Sequence, residues 1–117
     1  MAEPSSETIL TQVKKNCGID PSYDAFDLDI ITHINSVFAQ LNQLGVGPDD
    51  SFRIETGDEE WGDYYTDPRF DMIRSYMYAK VRYIFDPPAG SLQTALKETI
   101  DEYEWRLCML ADSLKDE

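Results

Sequence analysis

The chain has 117 residues, of which 42% are hydrophobic and 12% aromatic, so it can build a packed core and is not disordered throughout. We expect a single domain over residues 1–117, with disordered tails at 1–5 and 114–117. The net charge of -13 excludes tight DNA binding, which requires cations that displace counterions from phosphates.

The sequence also disfavours a membrane-associated or secreted protein. No run of about 18 apolar residues could span a bilayer, and the charge opposes adsorption to anionic lipid, so we expect no membrane partner. The first seven residues lack the basic and apolar regions of a secretory signal. Cys17 and Cys108 stand far apart without a CxxC pair, which favours free thiols in a reducing compartment and no structural zinc site.

The acidic charge is concentrated in one segment. Residues 20–67 hold twelve acids against Arg53 alone, a net charge of -11, whereas residues 1–19 are neutral and residues 68–117 carry only -2. The middle of the chain therefore carries most of the electrostatic field.

The first half of the chain predicts two helices. The first runs from about Ser6 to Asn16, capped by Ser5 or Ser6 and ended by Gly18. The second runs from about Ala25 to Leu44, and its apolar residues recur at helical spacing. Asp24 or Asp27 caps this helix, and Gly45 and Pro48 follow its end.

The second half predicts a loop and two further helices. Residues 49–66 are loop-like, with a possible short strand at Phe52 and Ile54. We expect Trp61, Tyr64 and Tyr65 to pack beneath the loop, and a contact with another chain is the alternative. Asp67 and Pro68 open a helix that ends near Phe85, before two prolines. Ser91 caps a last helix to about Leu114, with a stripe of leucines facing inward. The predicted fold is therefore all-α, a bundle of about four helices.

The exposed faces suggest contacts with other chains. From Ile30 to Gln43 the second helix has no Asp, Glu, Lys or Arg, which indicates either a subunit contact or a merely neutral solvated face. The third helix is apolar or small nearly all round, and the last helix directs a tryptophan away from its leucine stripe. Internal packing is the alternative for these aromatic residues. The candidate subunit or partner contacts are Tyr76, Tyr78, Tyr83, Trp105 and Met109.

No catalytic arrangement stands out. The sole histidine, His33, follows Asp29 by four residues, and a metal or general-base site there lacks a second histidine to complete it. The acids around Gly57 do not match the calcium-loop spacing, and no phosphate-binding or nucleophile motif is present. We therefore expect no enzyme activity and no cofactor.

Four stretches resemble a known family. They are HINSVFAQLNQLGVGP at 33–48, WGDY at 61–64, VRYIFDPP at 81–88 and EYEWRL at 102–107. Over about residues 7–112 the chain resembles the small head-tail connector, or adaptor, proteins of long-tailed bacteriophages.

The resemblance implies a structural virion protein of the neck that is present in the host cytoplasm during assembly. Such proteins form a ring, typically of twelve copies, beneath the portal protein, and also contact a downstream neck or tail-completion protein. DNA passes through the ring without specific binding. An acidic lining would repel phosphates, although the sequence leaves open whether segment 20–67 faces the channel or the outside. The candidate channel-facing acids are Asp49, Asp50, Asp58, Glu59 and Glu60.

Two other functions remain possible from the residues alone. An acidic inhibitor that mimics DNA would bind a basic nucleic-acid enzyme as a monomer or dimer. A metal-dependent enzyme around Asp29 and His33 would lose activity on His33→Ala and would form no ring.

Overall fold

The computed structural model describes residues 8–47 and 52–114, and within these ranges it contains four α-helices and no strand. The all-α prediction is confirmed. The predicted tail 1–5 and residues 115–117 of the predicted C-terminal tail lie outside the described residues, and Leu114 is the last residue of a helix. The helices are α1 (Ile9–Asn16), α2 (Asp27–Gln43), α3 (Met72–Phe85) and α4 (Ser91–Leu114).

Glycine ends both N-terminal helices, as predicted. Gly18 and Gly45 adopt φ values of 78° and 90°, a backbone conformation that costs glycine little because it has no Cβ. The residue after each glycine donates its N–H back to the last turn: Ile19 to the Lys14 carbonyl, and Val46 to the Leu41 carbonyl, both at 2.9 Å. These bonds pair carbonyl groups that a helix end would otherwise leave unsatisfied.

The predicted caps of these two helices are wrong. Thr8 caps α1, and its hydroxyl accepts the backbone N–H of Thr11 at 3.1 Å. In α2 the N-cap residue is Phe26, which has no side-chain acceptor, so neither Asp24 nor Asp27 caps the helix. Asp27 is the first helical residue, and its carboxylate pairs instead with Lys14 of α1.

The C-terminal helices begin and end close to their predicted positions. The Asp67 carboxylate accepts the backbone N–H of Arg69 at 2.9 Å, but the turn it caps is a short 3-10 helix, and α3 begins only at Met72. The helix ends before the two prolines, as expected. Ser91 is the first residue of α4 and not its cap.

The helix α3 lies at the centre of the bundle and packs against the other three helices. Four of its side chains are buried, Ile73, Tyr76, Met77 and Val81. The inward stripe of α4 is shorter than predicted, because Leu92 is exposed and burial is complete only from Ile100 onward. Ile84, expected in the core stripe of α3, is also largely exposed.

The connection from residue 52 to α3 packs as a loop and forms no strand. Ile54 is buried, and its backbone bonds to the side chain of Asn35 on α2 in place of a neighbouring strand. Phe38 of α2 lies 4.6 Å from the ring of Tyr64 and 6.2 Å from that of Trp61, centroid to centroid. Both loop aromatics are buried, as predicted. The loop therefore covers one side of the core.

A buried lysine ties the α1–α2 connection to α1. The Lys14 side chain is 3% exposed, its Nζ lies 2.7 Å from Asp27 Oδ1, and it donates to the Pro21 carbonyl at 3.0 Å. A buried ammonium group needs such partners because water no longer solvates it. The sequence does not indicate which of the two adjacent lysines, Lys14 or Lys15, is buried and paired with Asp27.

Candidate assembly surfaces

The clearest apolar surface lies on the outer side of α4. Trp105 and Met109, one turn apart, are 64% and 50% exposed. Glu98 and Glu102 precede Trp105 by seven and three residues, which places them on the same side of the helix. We call Glu98, Glu102, Trp105 and Met109 the α4 contact face. A large aromatic side chain left in solvent beside a methionine is typical of a surface that a partner covers.

Tyr76 does not belong to that surface. Its ring is fully buried where α4 covers α3, and its hydroxyl donates to Glu104 Oε2 at 2.7 Å. The same carboxylate oxygen accepts from Lys80 Nζ at 2.8 Å. Burial, reinforced by the bond to Glu104 and its charge, raises the pKa of Tyr76 far above its ordinary value. The structure therefore places this candidate contact inside its own subunit.

The other two candidate tyrosines of α3 are half-buried. The Tyr78 hydroxyl and the Trp61 indole N–H both donate to Gln12 Oε1, at 3.0 and 2.9 Å, so Tyr78 joins α3 to α1 and to the loop. Burial raises the pKa of Tyr78. Tyr83 lines a shallow depression of about 210 Å³ that it shares with the first turns of α4. Of the three candidate tyrosines, only Tyr83 forms no hydrogen bond into the core among the described residues, and its side chain is partly exposed.

The described candidate acids lie on the loop, and the side chains of two of them, Glu59 and Glu60, accept backbone N–H groups. Asp49 and Asp50 fall outside the described residues, whereas Asp58 and Glu60 are exposed. Glu59 accepts the backbone N–H groups of Glu55 at 2.7 Å and Gly57 at 2.9 Å. Burial acts to raise the pKa of Glu59, but these backbone donors outweigh it and the pKa is lowered.

The same loop is fixed to α1. The Glu59 carbonyl accepts the N–H of Ile9 at 3.0 Å, and Thr8 and Glu60 form an isolated antiparallel bridge. Gly57 has a φ of 91°, and a Cβ there would lie 2.9 Å from Leu10 Cδ2, so only glycine allows this close approach. Asp58 and Glu60 are thus held on a defined part of the surface next to α1.

A groove runs between the uncharged face of α2 and the loop. Its volume is about 850 Å³, and we call it the α2 groove. Asn35, on the uncharged face of α2, forms two hydrogen bonds with the backbone of Ile54 and closes the floor. Arg53 and Glu55 stand at its rim. The side chains that line the groove include Leu28, Ile31, Thr32, Ser36, Ala39 and Phe52.

Most cations of the described residues are engaged within the subunit. In addition to the Lys14–Asp27 and Lys80–Glu104 pairs, surface pairs join Arg69 to Asp67, Lys97 to Asp101 and Arg106 to Glu102. Such exposed pairs add little stability, but they neutralise the cations locally. The surplus negative charge is therefore what the subunit presents to its surroundings.

Among the described residues, the fold brings no third metal-ligating side chain to Asp29 and His33. His33 lies against Phe85, with 6.4 Å between the ring centroids, and residues 8–47 and 52–114 contain no cluster of three or more His, Cys, Asp or Glu side chains that could hold a metal ion. Over the same ranges, no helix combines the length and apolar character needed to cross a bilayer.

The structure also shows a pocket that the sequence did not suggest. It has a volume of about 390 Å³ and lies between Gly45–Gly47, the loop and the end of α4. The Tyr64 hydroxyl in its wall is buried and has no hydrogen-bond partner among the described residues, and burial raises the pKa of this tyrosine well above its ordinary value. Only the three-dimensional packing reveals this group, because a tyrosine in a loop has no pattern that marks its hydroxyl as unpaired.

The fold and surfaces define a small all-α protein with an exposed aromatic contact face and without a metal-ligand cluster in the described part. The profile of the family described as phage connector protein matches residues 9–113. The chain belongs to this family, and it is a structural connector of the phage neck that associates with other head and tail proteins. No curated protein and no solved structure gives a significant match.

Proposed function

We propose that this protein forms a ring beneath the portal, joins the phage head to the tail and extends the channel through which DNA passes. The observation that carries the proposal is the exposed pair Trp105 and Met109 in a chain of the connector family. A solitary subunit would leave these side chains in water, whereas a ring can cover them. Twelve copies is the expected number, with the portal on one side and a tail-completion protein on the other.

The charge of the subunit supports a passive channel. A ring of copies that each carry a charge of -13 would repel DNA phosphates and would not retain the genome. Asp58 and Glu60 are exposed on the loop and can contribute to such a lining, and we propose the same role for Asp49 and Asp50, which lie outside the described residues. Glu59 contributes its charge from a less accessible position, because its carboxylate is bonded to backbone N–H groups.

We also propose that the protein has no catalytic activity, needs no cofactor and assembles in the host cytoplasm before it becomes part of the virion neck. A structural role requires specific contacts and no reactive centre. The isolation of His33 against Phe85 supports this view, because a general base would need a substrate-accessible partner.

The test is assembly with the portal protein of the same phage. The purified chain is mixed with portals, sedimented and imaged by electron microscopy. We expect the chain to sediment with portals and to add a twelve-fold ring below them. A chain that stays monomeric and never sediments with portals would overturn the proposal. If it instead bound a basic nucleic-acid enzyme with a 1:1 ratio, the DNA-mimic function would replace it.

A further inference from the structure

We propose that neighbouring copies join head to tail, with Trp105 and Met109 of one copy seated in the α2 groove of the next. The proposal rests on the ring function above and specifies its subunit contact. It assigns a partner to each of two surfaces that a single subunit leaves open, the α4 contact face and the α2 groove.

The two surfaces lie on two of the helices that pack against α3. The helix α3 packs against both α2 and α4, which make no extensive contact with each other. Ile100 and Leu107 face α3, and Trp105 points the other way. On α2, Ile34 and Leu41 are buried, while Thr32, Ser36 and Ala39 face outward into the groove. Neither surface covers the other within one copy, since both remain exposed, but successive copies can bring them together.

The charge distribution selects the α2 groove as the receiving surface. Two copies with a charge of -13 repel each other wherever acids meet acids. On the α4 contact face Glu102 pairs with Arg106, whereas Glu98 has no ion-pair partner among the described residues, so a partner surface that offers a cation suits this face best. Between Ile30 and Gln43 the groove helix has no charged residue, and its side chains are small enough to leave room for an indole ring.

The groove rim carries two exposed charges, Arg53 and Glu55, and only Arg53 can attract an acidic side chain of the α4 contact face. Arg53, the only cation of segment 20–67, stands exposed at the groove rim, and no acid of the described residues lies within ion-pair distance of it. Glu98 is exposed on the α4 contact face, also without an ion-pair partner in those residues. Pairing Arg53 with Glu98 of the adjacent copy would fix the register of the contact and discriminate against misaligned copies.

A contact between two different surfaces has a defined consequence for assembly. It leaves one open groove and one open contact face on every dimer, so growth continues until a ring closes. A contact of the α4 face with itself would instead stop at a dimer. The size distribution of trapped assemblies therefore distinguishes the two.

The first test uses the native thiol. Cys108 is exposed next to the α4 contact face, and Cys17 is buried. In Ser36→Cys, a thiol oxidant added in the presence of portals should give a ladder of disulfide-linked species from dimer upward. The matched control is Lys15→Cys, at an exposed position of α1 outside the groove, which should give no ladder.

The second test exchanges charges. Arg53→Glu and Glu98→Arg should each weaken ring formation by about tenfold in the protein concentration required. The double variant should recover most of the loss, because the pair is restored with its polarity reversed.

Each outcome is decisive. Rings on portals without a 36–108 disulfide and without charge rescue would overturn the head-to-tail contact and leave the proposed function intact. Disulfide dimers through Cys108 alone, in the unmodified chain, would indicate a symmetric contact and also overturn it. Absence of any ring on portals would overturn both proposals together.

Discussion

The side-chain amide of Asn35 pairs with the backbone of Ile54 as a neighbouring strand would. Asn35 Nδ2 donates to the Ile54 carbonyl at 2.9 Å, and Ile54 N–H donates to Asn35 Oδ1 at 2.8 Å. One residue of a helix thereby satisfies both backbone groups of a buried loop residue. The loop needs no strand partner, which explains why the alternating pattern around Ile54 does not form a sheet.

Removing this amide should destabilise the subunit. In Asn35→Ala the backbone N–H and carbonyl of Ile54 lose their partners, and we expect the free energy of unfolding to fall by about 1–3 kcal/mol. Urea denaturation monitored by circular dichroism measures the change. The control is Ser36→Ala, the exposed neighbour, for which we expect a change within about 0.5 kcal/mol. Equal losses in both variants would contradict the role of Asn35.

The lowered pKa of Glu59 predicts an acid-sensitive loop. A carboxylate whose folded pKa lies below its unfolded value stabilises the fold above the unfolded pKa, and this contribution disappears as the pH falls through the folded pKa. The ordinary value is 4.5, so the loss begins below that pH. Glu59→Gln should cost about 1 kcal/mol at pH 7 and much less at pH 3.

The matched control for the loop acid is Asp58→Asn, next to Glu59. It removes the same charge from an exposed side chain for which the described hydrogen bonds include no backbone donor to the carboxylate. Thermal unfolding of both variants from pH 3 to pH 7 should show a pH-dependent difference from the unmodified chain for Glu59→Gln alone. A parallel pH dependence of the two variants would refute the assignment.

The unpaired hydroxyl of Tyr64 predicts an unusual gain in stability. Burying a hydroxyl without a partner costs free energy, and Tyr64→Phe keeps the ring contact with Phe38 while removing that cost. We expect the free energy of unfolding to rise by up to about 1 kcal/mol. In the control Tyr76→Phe the lost hydroxyl has a partner, Glu104, so the stability should fall by about 1 kcal/mol. A loss of stability in Tyr64→Phe would show that its hydroxyl is paired in solution.

We expect Trp105→Ala to impair assembly without changing the stability of the subunit. The side chain is largely exposed, so Trp105→Ala should change the free energy of unfolding by no more than about 0.5 kcal/mol and leave the helical content intact. Ring formation on portals should nevertheless be impaired, since the substitution removes the largest apolar group of the α4 contact face. The control is Leu92→Ala on the same helix, an exposed apolar residue outside that face. Normal head-tail joining by Trp105→Ala would remove this residue from the contact surface.

The helices and their ends were the predictable part of the fold. Their signals are local: glycine after α1 and α2, aspartate and proline before α3, and two prolines after it. The exposure of Trp105 was also predictable, because helical spacing places it away from Ile100 and Leu107. A periodic hydrophobic pattern is sufficient to predict burial and exposure wherever one side of a helix meets the core and the other meets solvent.

The sequence could not predict which of two similar residues on the same helix face is buried. Tyr76 and Tyr83 occupy the same flank of α3 at a spacing of seven, yet α4 covers Tyr76 and leaves Tyr83 half-exposed. Likewise, Asn35 and Ser36 are both small polar residues of α2, but only Asn35 meets the loop. Which of two equivalent residues is buried depends on where a distant element lies, and no local pattern encodes that position.

The first turns of α4 are held less firmly than the rest of the helix. Between residues 91 and 99 no side chain is fully buried, so these turns depend on helix propensity and on a few local contacts, whereas the turns after Ile100 are secured by the core. Their amide protons should exchange with solvent much faster than those near Leu107. We therefore expect this end of α4 to unwind more readily than the turns that Ile100 and Leu107 hold in the core.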